Sequence, residues 1–282
     1  MKIGIVVPHI FMQDKILPDV IFSPGSLAIS LANELCSLGH EVVLYTPGTV
    51  KSSAKNITSD LSLFEAELAV RGDTYLSLLK KHPLTFITLA RQVQAELIAK
   101  AIADANVGNI DIVHVYGNEE ELALPYAQFC NKPVVFTHHD PFNLLVKYRA
   151  IFPKYAHLNW ISMSYAQRTA MPEGTNWVGN VHHGLPLKQF SFNAKPIGNY
   201  VAYMGRIIES KGVHLAIQAV QAYNKTAKKP LQLRLAGKHY ASDHDSYWQK
   251  QILPLLNDPH IVYEGYLNET AKIQAFLGNA SA

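Results

Sequence analysis

Short apolar runs alternate with longer amphipathic stretches along the whole chain. Nine runs predict strands, at residues 2–7, 41–46, 111–116, 133–137, 159–163, 176–181, 199–204, 231–236 and 260–264. Most are continuous Val, Ile, Leu and Tyr runs rather than alternating ones, the pattern of strands covered on both faces. Helices are predicted between them. Leu27, Leu31, Leu35 and Leu38 form one stripe closed by Gly39 as a C-cap; Val93, Leu97, Ala101 and Ile102 form a second; Val213, Ile217, Val220 and Tyr223 form a third. Strand and helix in strict succession predict an α/β protein with doubly wound parallel sheets.

The alternation restarts near residue 199. The stretch 185–198 (LPLKQFSFNAKPIG) has two prolines, a glycine and little periodicity, and reads as a linker between a domain at 1–190 and a smaller one at 199–282. Residues 9–25 form a long connection after the first strand, and residues 51–60 (KSSAKNITSD) read as a polar loop. Long loops at strand carboxyl ends are where open α/β sheets bind ligands.

At 282 residues the chain is long enough for two domains, and with 48% apolar and 17% charged residues it can bury a core, which excludes disorder, collagen and coiled coil. A net charge of +3 is too mild for a nucleic-acid binder. Cys36 and Cys130 are the only cysteines, which excludes a disulfide framework and fits a cytoplasmic protein. No apolar stretch approaches the roughly 18 residues of a membrane span. Lys147, Arg149 and Lys154, interleaved with Tyr148, Phe152 and Tyr155, have two readings: peripheral contact with an anionic membrane, or a solvated amphipathic face. Leu76, Leu79, Lys80 and Lys81 read as an ordinary helix.

The standard fingerprints are missing. No G-x-G-x-x-G follows the first strand, and there is no P-loop, no H-E-x-x-H and no G-x-S-x-G elbow. The sharpest local feature is residues 203–213 (YMGRIIESKGV), where an apolar strand ends in Gly205-Arg206 and Lys211-Gly212 opens a helix. Two permanent cations and a positive helix end at the edge of a sheet suit a diphosphate. The alternative is a solvated loop in which Arg206 pairs with Glu209.

That segment resembles the G-R-x-x-x-x-K-G motif of the GT-B, family-4 type nucleotide-sugar glycosyltransferases. Further segments are similar in the same order. Residues 33–45 (NELCSLGHEVVLY) resemble the family's first helix and second strand. Residues 111–115 (DIVHV) and 133–140 (PVVFTHHD) resemble its central strands, and 164–167 (SYAQ) and 181–186 (VHHGLP) stand at two of its signatures. Residues 233–237 (LRLAG) and 262–266 (VYEGY) resemble the next two strands. The resemblance implies two Rossmann-like domains, an acceptor-side domain first and a nucleotide-sugar donor domain second, with the reaction in the cleft between them.

It also implies roles. Arg206 and Lys211 would neutralise the departing nucleoside diphosphate, with Gly205 and Gly237 at the same donor site. His139 holds the family's position in T-x-H-D beside the transferred sugar; the competing readings of 138–140 are a metal pair or a hydrogen-bonded loop. His138 is a neighbour, and Asp140 would fix the His139 tautomer. Gly25 and Ser26 align with the glycine-rich loop that approaches the donor phosphate, although Pro24 replaces one of its glycines and lacks an N–H; an N-cap by Ser23 or Ser26 is the other reading. His182, His183 and Gly184 read as a turn.

The resemblance implies a retaining transfer from a nucleotide-diphosphate sugar, which is a co-substrate, to a sugar, lipid or small-molecule acceptor, with no cofactor and no metal. The family's E-x7-E segment has no counterpart before Ala282, so the second domain reads as incomplete. Two further readings follow: a non-catalytic module, with a complementary C-terminal chain as partner, or a nucleotide-sugar hydrolase or epimerase.

Overall fold

A computed structural model describes residues 1–17, 20–187, 190–239 and 246–282. The chain divides into two compact units, Met1–Leu185 and Pro186–Ala282. Pro18 and Asp19 of the predicted 9–25 connection, and Lys188 and Gln189 of the predicted linker, lie outside the described residues. Asn193 and Gly198, also in that linker stretch, hydrogen bond to Gly278 and Asn279 of the second unit.

Among the described residues the first unit is built on seven parallel strands: β1 (Lys2–Val6), β2 (Glu41–Thr46), β3 (Lys55–Thr58), β4 (Ile112–Gly117), β5 (Val134–His138), β6 (Asn159–Ser162) and β7 (Trp177–Asn180). Their order is β3-β2-β1-β4-β5-β6-β7. The chain therefore winds outward from β1 to β3 and returns to lay β4 against the other side of β1, which creates a topological switch point. The helices are α1 (Ser23–Ser37), α2 (Ser62–Arg71), α3 (Tyr75–Lys81), α4 (Pro83–Asn106), α5 (Leu124–Ala127), α6 (Val146–Ile151) and α7 (Tyr165–Arg168).

Strand β3 corrects the reading of 51–60 as a loop. It pairs only with β2 at the sheet edge and its side chains are exposed or half-buried, so it carries no apolar run. Side chains tie it in instead: the Asn56 amide donates to the Leu44 carbonyl and to the Thr46 hydroxyl, both at 2.8 Å. Helix α1 corrects a stripe. Its buried face is Gly25, Ala28 and Ala32, while Leu27, Leu31 and Leu35 are half-buried and Leu38 is exposed. Small residues let the helix lie close to the sheet, with the leucines flanking the contact. Gly39, at φ +85°, ends the helix in a Schellman motif: its N–H bonds the Cys36 carbonyl and that of His40 bonds Leu35. Thr74 and Ser77 form a capping box at the start of α3.

The core on one face of the sheet gathers Val113, Phe136, Phe142, Tyr148, Phe152 and Trp160; the other face packs Ile5, Val7, Leu44, Ala28 and Ala32. Tyr148 and Phe152 belong to this core. They correct the reading of 147–155 as one amphipathic face, because α6 ends at Ile151 and a 3₁₀ turn at Phe152–Tyr155 changes the register. Burying each such ring stabilises the unit by roughly 1.5–3 kcal/mol.

The second unit has three parallel strands among the described residues, β8 (Tyr200–Met204), β9 (Gln232–Ala236) and β10 (Ile261–Gly265), in the order β10-β9-β8, with helices α8 (Val213–Asn224) and α9 (Thr270–Gly278). Val213, Ile217 and Val220 of α8 are buried against Leu233 and Leu235; Tyr223, expected in the same stripe, is exposed at the end of the helix. The strands end in three glycines whose backbones are stitched together. The Gly205 N–H bonds the Ala236 carbonyl (3.0 Å), Ile207 bonds Lys238 (3.0 Å), and Gly237 bonds Gly265 (2.8 Å). A Cβ at residue 237 would sit 1.8 Å from the Gly205 carbonyl oxygen, so only glycine fits without moving the loop.

Gly237→Ala is expected to destabilise the second unit by about 2 kcal/mol or more, as a clash with backbone requires. Gly184→Ala, whose Cβ would meet nothing within 4 Å, should leave stability unchanged. Denaturant midpoints of the two variants check this.

Candidate functional site

The carboxyl edge of the first sheet collects histidines and carboxylates from the connections after β1, β4, β5 and β7. After β1, the His9 ring stacks on Phe22 (4.5 Å) and meets the edge of Phe11 (4.6 Å). Its Nδ1 accepts the Phe11 N–H at 3.2 Å. Burial, then the charges of Lys147 and Arg91, lower its pKa to about 4, and Glu121 opposes them. After β4, Gly117 (φ +119°) and Glu119 (φ +71°) turn the chain sharply. A non-glycine residue in the left-handed region is strained, and such strain concentrates at functional sites.

The turn presents Glu119, Glu120 and Glu121 inward. Glu119 accepts a hydrogen bond from the buried Gln94 amide and lies 3.6 Å from Arg91. Glu121, almost fully buried, pairs with Lys147 and lies 3.7 Å from Arg91. Glu120 is fully buried and pairs with Nδ1 of the equally buried His138, whose ring is packed among Phe142, Tyr148 and Phe152. Burial pushes the Glu120 pKa up, against the pull of His138. In the sequence His138 reads only as a neighbour of His139, and no motif there singles out His9 or the glutamates. The available signal was three glutamates in a row directly after the strand run that ends in Gly117.

After β5, His139 stands half-buried with its ring against Tyr116 (4.5 Å) and His183 (5.0 Å, 18° between planes). Its Nδ1 lies 3.1 Å from Nε2 of His183. Burial, then His183, His138 and His114, lower its pKa to about 3. Asp140 corrects an expectation: its carboxylate accepts the Asn118 amide at 2.8 Å and leaves the His139 ring to His183. The 164–167 signature braces this loop. Ser164 caps α7, and the Gln167 amide donates to the His138 and Asp140 carbonyls, both at 2.9 Å.

Gly25 lies in the first turn of α1, where its N–H bonds the Phe22 carbonyl (3.1 Å) and a Cβ would meet Phe22 at 2.7 Å and Met12 at 3.0 Å. The cap of this helix is Phe22, with no side-chain bond, and the Ser26 hydroxyl turns back to the Ser23 carbonyl at 3.1 Å. Neither serine caps the helix.

In the second unit, Arg206 and Lys211 are both exposed on the connection from β8 to α8. Among the described residues no hydrogen bond or ion pair engages either cation, and the alternative pairing of Arg206 with Glu209 does not form. The backbone around them is held: Tyr203 Oη lies 3.4 Å from the Arg206 carbonyl and 3.2 Å from that of Lys211. Gly212, at φ +68°, is the N-cap of α8. The second unit also has a groove of about 840 Å³ lined by Tyr200, Arg234, Glu264 and Phe276, which includes none of the Arg206–Lys211 connection. Among the described residues no group of three or more His, Cys, Asp or Glu could hold a metal ion, both cysteines are free, and no helix is long and apolar enough to cross a membrane.

Two family models match the chain from residue 25 onward. The family model described as Glycosyltransferase Family 4 matches residues 25–211, and that described as Glycosyl transferases group 1 matches residues 187–282. None of the curated proteins matches. Among solved structures, HepE from Anabaena, crystallised with UDP and glucose, is 15% identical with a TM-score of 0.57 over 99% of this chain and 72% of its own. The catalytic domain of starch synthase IV from Arabidopsis thaliana, bound to ADP and acarbose, is 12% identical with a TM-score of 0.65 over 99% of this chain and 77% of its own. The shared fold is the GT-B pair of Rossmann-like domains.

The histidines set a pH dependence. His9 and His114 (about 4) and His139 (about 3) have folded-state pKa values below the ordinary 6.5, so these three sites bind fewer protons in the folded than in the unfolded chain between those limits. Their contribution is present above pH 6.5 and is lost as pH falls toward 4 and then 3. Denaturant midpoints of the first unit should fall across that window, and His114→Asn should make the fall shallower by close to one proton.

Proposed function

Because this chain belongs to Glycosyltransferase Family 4, it is a glycosyltransferase, and we propose that it is a retaining one that moves a sugar from a nucleotide-diphosphate donor to an acceptor held by the first unit. The observation that carries this reading is the β8–α8 connection: two unpaired cations on a backbone locked to the next strand by Gly205 and Gly237. A diphosphate accepts charge-assisted hydrogen bonds from such groups, and the held backbone keeps them in place as charge develops.

In the transfer, the bond between the anomeric carbon and the phosphate oxygen breaks and the acceptor hydroxyl forms the new glycosidic bond. Arg206 and Lys211 stabilise the charge gathering on the departing diphosphate, and the acceptor's proton leaves with that diphosphate, so no separate basic residue and no cofactor is required. His139 contacts the transferred sugar. Its lowered pKa keeps it neutral at physiological pH, so it acts as a hydrogen-bonding group rather than a cation. Gly25 and Ser26 contribute less to the phosphate than the resemblance implies, because the Gly25 N–H is taken by Phe22 and Pro24 has none.

UDP, ADP and GDP are the probes for calorimetry. Arg206→Ala and Lys211→Ala should each weaken the preferred nucleotide about ten- to a hundredfold, the worth of one charge-assisted hydrogen bond. Absence of binding to all three at millimolar concentration would favour a non-catalytic module. Release of free sugar at the transfer rate without acceptor would favour a hydrolase.

A further inference from the structure

Asp140, adjacent in sequence to His139, is engaged by Asn118, and the imidazole of His183, brought from the connection after β7, faces Nδ1 of His139 at 3.1 Å. The two rings lie within 18° of parallel. Nε2 of His139 is buried without a partner among the described residues, while His183 is exposed. The pair therefore joins a buried, unpartnered ring nitrogen at one end to solvent at the other.

We propose that His183 is the positioning residue for His139: through the Nδ1···Nε2 bond it fixes the ring and couples the proton on His139 to its own. A neutral imidazole has one N–H and one bare nitrogen. If His183 Nε2 carries its proton, His139 Nδ1 accepts and His139 is protonated at Nε2. If His139 Nδ1 donates, its Nε2 is a bare acceptor. Either way the unpartnered Nε2 has its character, donor or acceptor, set across the 3.1 Å bond, the part a carboxylate commonly plays for a histidine. Tyr116 closes the other side of the ring and supplies no such bond, since it meets His139 by its ring at 4.5 Å. The charged and titratable groups facing His139 are His183, His138 and His114, all of which disfavour its cationic form.

This inference rests on the role given above to His139, and the two are separable. Nitrogen-15 NMR of the full chain at pH 7 reads the His139 tautomer without any substrate. One dominant tautomer is expected in the wild type, a mixture in His183→Phe, which keeps the stacking and loses the bond, and restoration in His183→Gln. An unchanged tautomer in His183→Phe overturns the proposal, whether or not activity falls. In the transfer assay, His183→Phe should lose about tenfold in kcat/KM and His183→Gln less. The double variant with His139→Ala should be no worse than His139→Ala alone, and additive losses in that double variant overturn the coupling. Full activity in His139→Ala would instead remove the role of His139 and leave the tautomer measurement to judge His183.

Discussion

The Gly205 carbonyl oxygen occupies the space in which a side chain at residue 237 would begin. That contact, with the bonds from Gly205 to Ala236 and from Ile207 to Lys238, makes the connection after β8 follow the end of β9 instead of swinging free. Arg206 and Lys211 are long, flexible side chains, and left on a mobile loop they would spend most of their binding energy on being ordered. On a backbone held by neighbouring strands and by the Tyr203 hydroxyl they remain exposed, unpaired and close to a helix start. The second unit is in this sense organised around the absence of two side chains.

The first unit meets a different constraint. All seven strands run the same way, so their connections converge on one edge, and the switch point between β1 and β4 opens there. The chain fills this edge with polar groups that it does not fully satisfy: Asn118 Oδ1, Glu120 Oε2, Glu121 Oε2 and Nε2 of both His138 and His139 are buried without partners among the described residues. In a low-dielectric setting each such atom costs stability. The cost falls at the place where a polar ligand would repay it, and the strained Glu119 backbone lies in the same turn.

The sequence made legible what depends on continuous apolar runs. All nine expected strands lie within one residue of their observed limits, because each rests on a short apolar run. Strand β3 escaped because an edge strand held by Asn56 has no apolar signature. Leu38 and Tyr223 were misplaced because periodicity does not say where a helix leaves the sheet it packs on. The cations at 206 and 211 were legible as a motif, and their freedom from Glu209 was not. Least visible were partners brought together by topology: no local pattern joins His183 to a histidine 44 residues earlier, or Arg91 on α4 to Glu119 and Glu121.

Amide chemical-shift mapping with UDP or ADP tests most directly whether a nucleoside diphosphate binds at the β8–α8 connection, as proposed. The largest shifts are expected at Gly205, Arg206, Lys211, Gly212 and Gly237. Shifts confined to the groove at Tyr200, Arg234 and Phe276, with the glycine edge unmoved, would contradict it.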